Sequence, residues 1–368
     1  MSNRWKRVLL GNGNVQQFVK GEDKLYAPLI IGDRYEVDGI LSTSGGFGII
    51  FTAKDNRLLG RRVLIKARRY DNEPGLFTHV KDVTRKEKID KIRKQIKFEY
   101  NCLLNFRKKG ESRMPNVNDI IEGFSPFIYG PHRSGDGQVY YYDEPEVYNK
   151  EPYIIMQMIE GQNLGDYVAD GIDSVMEDRE YKNYHQWEKD VLQYALELCT
   201  MFSEFHRKDD SFKNKFFIYQ DLKPDNIMMT ENMFLTLIDF GGMTLVTEEN
   251  GNVCSNWKGF GSAGLGTWGY KAPEMDPTRG LLGNLDQRVD IYAIGATLYH
   301  LLTGDDLSKA PHKEYERIPV NNLKKFGYID ETYELIKMAT QPNRDERYST
   351  TKEMADQIYK AFTSIKRV

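Results

Sequence analysis

Two neighbouring segments decide the fold of this chain. They are Ile218-Tyr219-Gln220-Asp221-Leu222-Lys223-Pro224-Asp225-Asn226 and, shortly after it, Asp239-Phe240-Gly241. The residues between them form two short apolar runs, at 227–229 and 234–238, with a polar turn in the middle. Apolar runs that are bounded by turn residues predict a β-hairpin. Because one segment precedes this hairpin and the other ends it, we expect the acids of the two segments to lie close together.

These segments carry the side chains that phosphoryl transfer requires. Transfer from a magnesium nucleotide to a hydroxyl depends on positioning and on charge around the phosphates, with little covalent chemistry for the protein to do. Asp221 could accept the proton of the attacking hydroxyl, and Lys223 could neutralise the moving phosphoryl group. Asn226 and Asp239 could hold the metal ions. For the first segment taken alone, an ordinary turn is the alternative interpretation, since Asp, Asn and Pro all favour turns.

Together with other motifs along the chain, these segments resemble the eukaryotic-type protein kinases. Leu41-Ser42-Thr43-Ser44-Gly45-Gly46-Phe47-Gly48-Ile49-Ile50-Phe51 is similar to the family's glycine-rich loop, except that Thr43 stands where the first glycine belongs. Glycines in such a loop let backbone amides approach the nucleotide phosphates. The positions that the resemblance assigns to the nucleotide here are Gly45, Gly46, Gly48 and Ile50.

The next motif, Val63-Leu64-Ile65-Lys66, resembles the strand that carries the family's phosphate-binding lysine. In the family this lysine pairs with a helix glutamate, and Leu64 replaces the alanine that lies against adenine. Glu99 is the expected partner of Lys66, because it lies on the apolar face of a predicted helix, and Glu87 is the competing candidate. The apolar residues that define this face are Ile89, Ile92, Ile96 and Leu103.

Glu151-Pro152-Tyr153-Ile154-Ile155-Met156-Gln157-Met158-Ile159-Glu160-Gly161 resembles the strand and hinge that join the two lobes of the family. The resemblance places Met156 at the back of the nucleotide pocket. It implies that the backbones of Gln157 and Ile159 hydrogen-bond adenine. Met228, in the hairpin after the first segment, is also assigned to the nucleotide.

Gly266-Thr267-Trp268-Gly269-Tyr270-Lys271-Ala272-Pro273-Glu274 closely resembles the segment on which a peptide substrate lies in protein kinases. The resemblance implies that Thr267 hydrogen-bonds Asp221 and Lys223, as in the branch that phosphorylates serine and threonine. It therefore indicates a platform for a protein substrate.

Three further residues test whether the motifs belong to one fold. Asp290 matches the residue that braces the catalytic loop backbone at the start of the family's buried central helix. Arg347 matches the arginine that pairs with the glutamate of the platform, here Glu274. Because a buried ion pair is costly unless both partners are present, finding both is a check on the resemblance.

Two departures from the family pattern concern regulation and the binding of the nucleotide phosphates. Gln220 stands where an arginine commonly receives a phosphate from the activation segment, so we expect catalysis without phosphorylation of that segment. Tyr219 is expected to keep an aromatic stack beneath Phe240.

The second departure is Thr43, which weakens the match of the glycine-rich loop. The candidate phosphate acceptors between Asp239 and Glu274 are Thr244, Thr247, Ser255, Ser262 and Thr267.

Composition indicates an ordinary globular protein. The 368 residues include 40% hydrophobic and 29% charged residues, and the net charge is −3, which disfavours nucleic-acid binding. Three cysteines without metal-type spacing indicate reduced thiols and a cytoplasmic location. No apolar run reaches the length of a membrane span or suits a signal peptide. The expected ligands are ATP and Mg²⁺, with Mn²⁺ as an alternative, and a protein that offers a serine or threonine.

The predicted fold is α+β with two lobes, a small β-rich N-lobe with one key helix and a larger, mainly helical C-lobe. We expect residues 1–32 to form an extension packed on the N-lobe, residues 33–160 to form the N-lobe, and residues 161–368 to form the C-lobe. Three insertions relative to the family are expected, at 71–83, 131–150 and 207–215.

The leading functional prediction is an active ATP-dependent serine/threonine protein kinase of the bacterial or otherwise divergent kind, without the arginine before the catalytic aspartate. One alternative is a pseudokinase that binds nucleotide or a partner without transfer, which the intact set of acids disfavours. Another is a small-molecule kinase of the aminoglycoside type. Lys223, Thr267 and Glu274 disfavour this second alternative, because such enzymes generally lack them.

Overall fold

The computed structural model describes residues 5–10, 15–43, 48–68, 82–108, 113–124, 132–133, 139–140, 150–208, 215–249, 252–255, 266–276, 284–309 and 318–365. The chain divides into two compact units, Met1–Met158 and Ile159–Val368. Of the predicted insertions, 71–81 and the larger parts of 131–150 and 207–215 lie outside the described residues.

The first unit is built on a six-stranded antiparallel sheet in the order β4-β5-β6-β7-β11-β8. Alternate residues at the start of β5, Tyr35 and Val37, are buried, β11 is buried from Glu151 to Met156, and one apolar core packs against the sheet. The strands are β4 Ile30–Ile31, β5 Tyr35–Ser42, β6 Ile49–Asp55, β7 Arg61–Ala67, β8 Val117–Gly123 and β11 Glu151–Gln157. A short pair, β9 His132–Arg133 and β10 Val139–Tyr140, lies beyond β8 in sequence.

A second sheet precedes the first in sequence and shares its core. It contains β1 Lys6–Leu9, β2 Val15–Lys20 and β3 Asp23–Pro28, all antiparallel. Phe18 is buried in the same apolar cluster as residues of β5 to β7. The buried amide of Gln16 donates to Pro28 O at 3.0 Å and to Val37 O at 2.8 Å. Strands β2 and β3 therefore contribute side chains to the first unit's core.

One long helix, α1 Asp82–Lys108, completes the described part of the first unit. Its buried residues recur at helical spacing, including Ile89, Ile92, Ile96 and Leu103, as the sequence predicts. Ile96 packs with Ile154 and Met156 of β11, which fixes the face that α1 turns toward the sheet.

The second unit is mainly helical. Its longest helix is α4 Tyr184–Phe205, and its most enclosed helix is α5 Arg288–Thr303, in which all residues from 289 to 303 are buried. This burial confirms the predicted central helix at Asp290. The other helices are α2 Leu164–Tyr167, α3 Ile172–Asp178, α6 Asp330–Ala339 and α7 Thr351–Ser364.

Two small sheets carry the loops of interest. One joins β12 Gly161–Asn163 to the predicted hairpin, β14 Ile227–Thr230 and β15 Leu235–Leu237. The other joins β13 Phe216–Ile218 to β16 Thr244–Glu249 and β17 Asn252–Ser255. Strands β16 and β17 were not predicted, although Asn250-Gly251 between them in sequence is a strong hairpin signal. Within the described residues, none of the helices is long and apolar enough to cross a membrane.

Candidate active site

The first unit contains a buried ion pair between β7 and α1. Lys66 Nζ lies 2.6 Å from Glu99 Oε1, and the two side chains are 3% and 6% exposed. The competing candidate, Glu87, is exposed on the same helix. A charge this deep costs several kcal/mol unless it is paired, roughly the effective desolvation penalty of one ion. The structure thus brings together the two residues that the sequence analysis paired.

The residues assigned to a nucleotide in the first unit lie on β6, β7 and β11. Ile50 is opposite Lys66 in the ladder between β6 and β7, and Leu64 is opposite Met156 in the ladder between β7 and β11. Leu64 and Met156 also pack in one apolar cluster. Gly48 is required for a reason other than phosphate binding, because a Cβ there would lie 2.3 Å from Ala67 O. Gly45 and Gly46 lie outside the described residues.

The backbone N–H of Gln157 is hydrogen-bonded within the first unit. Its N–H donates to Asn116 O at 2.8 Å, and Asn116 Nδ2 donates to Gln157 Oε1 at 2.7 Å. This reciprocal pair uses the N–H inside the first unit, so Gln157 does not offer that donor to a nucleotide.

In the second unit, three side chains surround the carboxylate of Asp221. Thr267 Oγ1 donates to Asp221 Oδ1 at 2.6 Å. Asn226 Nδ2 donates to Asp221 O at 2.7 Å and lies 3.4 Å from Asp221 Oδ2. A short 3₁₀ turn, Pro224–Asn226, with proline at its first position, folds the loop back on itself. The predicted contact of Thr267 with Asp221 is present; Lys223 lies in the same loop and lowers the pKa of Asp221 by its charge.

Burial raises the pKa of Asp221 to about 6, and the nearby charge of Asp239 adds to this rise. Lys223 and the hydrogen bonds from Thr267 and Asn226 act in the opposite direction. A carboxylate whose pKa lies near neutral is a better proton acceptor than one with an ordinary pKa. The surroundings of Asp221 therefore suit a general base.

Asp239 follows β15 and turns the chain at the second segment. Its Oδ1 accepts a hydrogen bond from Gly241 N at 3.0 Å. Its charge is one of the causes that raise the pKa of Asp221. A Cβ on Gly242 would lie 3.4 Å from Asp221 Cβ, so the stretch of chain that follows Asp239 passes next to Asp221. Met228 is half-buried on β14, and Ile159 begins the second unit.

Asp290 braces the backbone of the catalytic loop, as predicted. The loop comprises residues 219–226. Asp290 Oδ2 accepts from Tyr219 N at 2.9 Å, and Oδ1 accepts from Gln220 N at 2.8 Å. His206 Nε2 lies 2.9 Å from the same Oδ2, a contact that the sequence analysis missed. Asp290 is fully buried, so these bonds offset the cost of its charge.

The predicted pair of Glu274 and Arg347 is also confirmed. Arg347 Nη1 and Nη2 donate to the two oxygens of Glu274 at 2.7 and 2.9 Å, which is the bidentate geometry that guanidinium and carboxylate favour. Both side chains are buried. The remaining Arg347 donors bond to backbone carbonyls, including Gln341 O at 2.7 Å.

The predicted aromatic stack of Tyr219 beneath Phe240 is wrong in its geometry. The two rings meet edge to face, with centroids 5.6 Å apart and an interplanar angle of 87°. Tyr219 instead stacks on Phe205, at an interplanar angle of 11°. Edge-to-face contact is favourable because the positive edge of one ring meets the negative face of the other. Tyr219 therefore still packs among aromatic rings, but the ring that stacks on its face is that of Phe205.

The donors available for a metal are amide and carboxylate oxygens. Within the described part of the chain, no group of three or more His, Cys, Asp or Glu side chains converges. Mg²⁺ commonly binds through one or two carboxylates together with substrate phosphates, and does not need an all-protein cage. Asn226 directs its Nδ2 toward Asp221, which leaves its side-chain oxygen to act as a ligand. Asn226 and Asp239 therefore fit a nucleotide-borne Mg²⁺.

With this geometry established, comparison with known proteins identifies the family. The family model described as "Protein kinase domain" matches residues 70–363, which is most of the chain. The chain belongs to the protein kinase domain family, as its motifs indicated. Members of this family generally use ATP and a divalent metal. The match begins after Lys66, so the assignment of the glycine-rich loop rests on the resemblance of its sequence, and that of β7 on the resemblance and the structure.

The curated relatives are similar at low identity. A "Probable serine/threonine-protein kinase PknB" of Corynebacterium glutamicum is 27% identical over 280 residues, which is 75% of this chain and 32% of the relative. A "Serine/threonine-protein kinase PknB" of Mycolicibacterium smegmatis is 25% identical over 338 residues, 89% of this chain and 43% of the relative. The chain thus spans less than half the length of these two relatives.

Proposed function

We propose that this chain is an ATP-dependent serine/threonine protein kinase with Asp221 as its catalytic base. The observation that carries the proposal is the 2.6 Å hydrogen bond from Thr267 to Asp221. Thr267 belongs to the segment that resembles a peptide platform, so the bond joins this segment to the proposed base. The relatives named above are serine/threonine-protein kinases by name, which agrees with this assignment.

In the proposed reaction, Asp221 accepts the proton of a serine or threonine hydroxyl. The hydroxyl oxygen forms a bond to the γ-phosphorus of ATP as the bond from that phosphorus to the β–γ bridging oxygen breaks, so that ADP leaves. Lys223, on the same loop, is proposed to neutralise the charge of the moving phosphoryl group. Stabilising this charge is the main contribution that a protein makes to phosphoryl transfer.

The metal ligands are proposed to be Asn226 and Asp239. A bound Mg²⁺, or Mn²⁺ in its place, would offset the negative charge that the phosphates carry during transfer. The hydrogen bond from Asn226 to the Asp221 backbone fixes the direction of the amide oxygen. The turn that Asp239 makes with Gly241 fixes the carboxylate at the end of β15.

In the first unit, Lys66 is proposed to bind the α- and β-phosphates, with Glu99 holding its ammonium in place. Ile50, Leu64 and Met156 are proposed to contact the adenine. The apolar cluster that contains Leu64 and Met156 supports this arrangement, because adenine sites are lined mostly by apolar side chains.

The test is transfer from radiolabelled ATP to generic protein substrates in the presence of magnesium, followed by identification of the labelled amino acid. We expect label on serine or threonine. Asp221→Asn should remove it, while Asp170→Asn, a change of the same type at an exposed position of the second unit, should not. Nucleotide binding without transfer would favour a pseudokinase, and label only on a small metabolite would favour a small-molecule kinase.

A further inference from the structure

Gln220 and Thr244 form a buried hydrogen bond beside the proposed base. Thr244 Oγ1 donates to Gln220 Oε1 at 2.8 Å, and the two residues are 0% and 1% exposed. Gln220 immediately precedes Asp221, and Thr244 is the first residue of β16, on the segment that follows Asp239. The bond therefore joins the two stretches of chain that carry the proposed base and one proposed metal ligand.

This bond lies where the backbone ladder between β13 and β16 ends. The last residues paired in that ladder are Ile218 and Thr244. Beyond them, the N–H groups of Tyr219 and Gln220 turn to Asp290, as described above. The side chain of Gln220 reaches back to Thr244, so the connection between the two stretches continues past the last backbone pair.

Two further observations show that the two stretches are held closely at this point. A Cβ on Gly242 would lie 3.0 Å from Tyr219 O and 3.4 Å from Asp221 Cβ, so the chain after Asp239 passes directly against the catalytic loop. Gln220 has a φ of 72°, in the left-handed region that few residues with a side chain adopt. Such a conformation persists only where the surrounding contacts over-determine it.

We propose that the Gln220–Thr244 hydrogen bond is a positioning contact that holds the start of β16 against the catalytic loop and does so without any charge. For its catalytic consequence the inference rests on the proposed kinase function. An arginine at position 220 would place a cation where Gln220 is enclosed, and a buried cation needs an anion such as a phosphate. Gln220 and Thr244 are both neutral, so their bond needs no phosphate.

The test compares Thr244→Val with Thr244→Ser and with the control Thr247→Val. Valine keeps the size of the threonine side chain and removes the donor to Gln220, whereas serine keeps the donor. Thr247 is half-buried on the same strand, and no hydrogen bond of its side chain is found within the described residues. Each variant is made in the 368-residue chain and is measured by amide hydrogen exchange and by the rate of phosphoryl transfer at saturating ATP.

We expect Thr244→Val to speed exchange in β16 while exchange in the buried helix α5 stays at its wild-type rate. The transfer rate should fall about tenfold, which corresponds to about 1.4 kcal/mol, with the KM for ATP unchanged. Thr244→Ser should keep the exchange of β16 and the transfer rate at their wild-type values, and Thr247→Val should change neither of them. Gln220→Met, which removes the other half of the bond, should give the same pattern. The double variant with Thr244→Val should be no slower than either single variant, because both remove one interaction.

Three results would overturn the proposal. They are wild-type exchange of β16 in Thr244→Val, a wild-type transfer rate despite faster exchange, and a general loss of protection in the second unit that Thr244→Ser fails to restore. Failure of the kinase function itself gives a different result. If the wild-type protein transfers no phosphate while Thr244→Val still loosens β16 alone, the kinase proposal is rejected and the holding role of the bond is supported.

Discussion

At the scale of single residues, buried charges give the clearest link from sequence to site. The sequence predicts that Glu99 faces the apolar side of α1 because it lies in register with Ile96 and Leu103, and burial of a carboxylate demands a cation. The structure supplies Lys66 at 2.6 Å. The position of His206 could not be predicted in this way, because its contact with Asp290 depends on two helices that are distant in sequence.

We predict that Glu99→Gln lowers the transfer rate strongly and that Glu87→Gln has almost no effect. The amide of glutamine can still accept a hydrogen bond from Lys66, but it cannot balance the buried ammonium, and removing one partner of a buried pair costs roughly 3–5 kcal/mol. The measurements are kcat, the KM for ATP and the thermal unfolding midpoint of both variants. Equal losses for the two variants would show that α1 does not act through Glu99.

A second prediction concerns Asp239. We expect Asp239→Asn to reduce phosphoryl transfer by about a hundredfold to a thousandfold, the usual effect of removing a group that stabilises transition-state charge. Its fold should survive, since Asp239 is half-exposed at a strand end and its bond to Gly241 N can be made by an asparagine oxygen. Rates are measured across a magnesium titration, with Asp170→Asn as the control. Wild-type turnover of Asp239→Asn at limiting magnesium would refute the assignment.

At the scale of elements, local pattern predicts some strands and misses others. The hairpin of β14 and β15 follows from two apolar runs around a turn, and α1 follows from its helical spacing. The hairpin of β16 and β17 was missed even though Asn250-Gly251 marks it, because the surrounding stretch is polar and β16 pairs with the distant strand β13. The edge-to-face contact of Tyr219 was missed because ring orientation depends on Phe205, outside the motif.

The ion pair between Arg34, which precedes β5, and Asp55, which ends β6, gives a prediction on the pH dependence of stability. Arg34 Nε and Nη2 donate to the two oxygens of buried Asp55 at 2.8 and 2.6 Å, and these bonds hold the pKa of Asp55 below its usual range. A carboxylate with a lowered pKa in the folded state stabilises that state above its unfolded-state pKa, near 4, and the contribution is lost as the pH falls through the folded value. Asp55→Asn should therefore be less stable than wild type at pH 7, and the difference should shrink below about pH 4.

The measurement is the urea midpoint of wild type and Asp55→Asn from pH 7 to pH 3. Asp33→Asn is the matched control, because Asp33 is exposed nearby and its φ of 51° suits asparagine as well. A difference between wild type and Asp55→Asn that stays constant down to pH 3 would mean that the charge of Asp55 contributes nothing through Arg34.

At the scale of the whole chain, the family could be predicted from sequence because its motifs constrain one another over long separations. Glu274 and Arg347 illustrate this, since each would be an uncompensated buried charge without the other. The contribution of β2 and β3 to the core could not be predicted in detail. Their attachment depends on Gln16, whose amide bonds to two backbone carbonyls on other strands, and a lone glutamine carries no such signal.

The last prediction concerns the modification state of the whole protein. We expect phosphatase treatment of the purified protein to leave its initial rate on an exogenous substrate unchanged. A phosphate on the segment after Asp239 would act mainly by finding an arginine cluster, and Gln220 stands where the central arginine would be. Among the candidate acceptors, Thr244 is fully buried and donates to Gln220, and Thr267 donates to Asp221.

The control for this experiment is Gln220→Arg, treated and assayed in the same way. This variant places a cation beside Asp221 in a site where Gln220 is 1% exposed, so its rate should fall below that of wild type whether or not phosphatase is used. A large loss of rate in the treated wild-type protein, restored by autophosphorylation, would require a different basic residue to receive the phosphate. The hydrogen bond between the neutral side chains of Gln220 and Thr244 would then not be enough to hold the segment, because an ion pair between the phosphate and that basic residue would be needed.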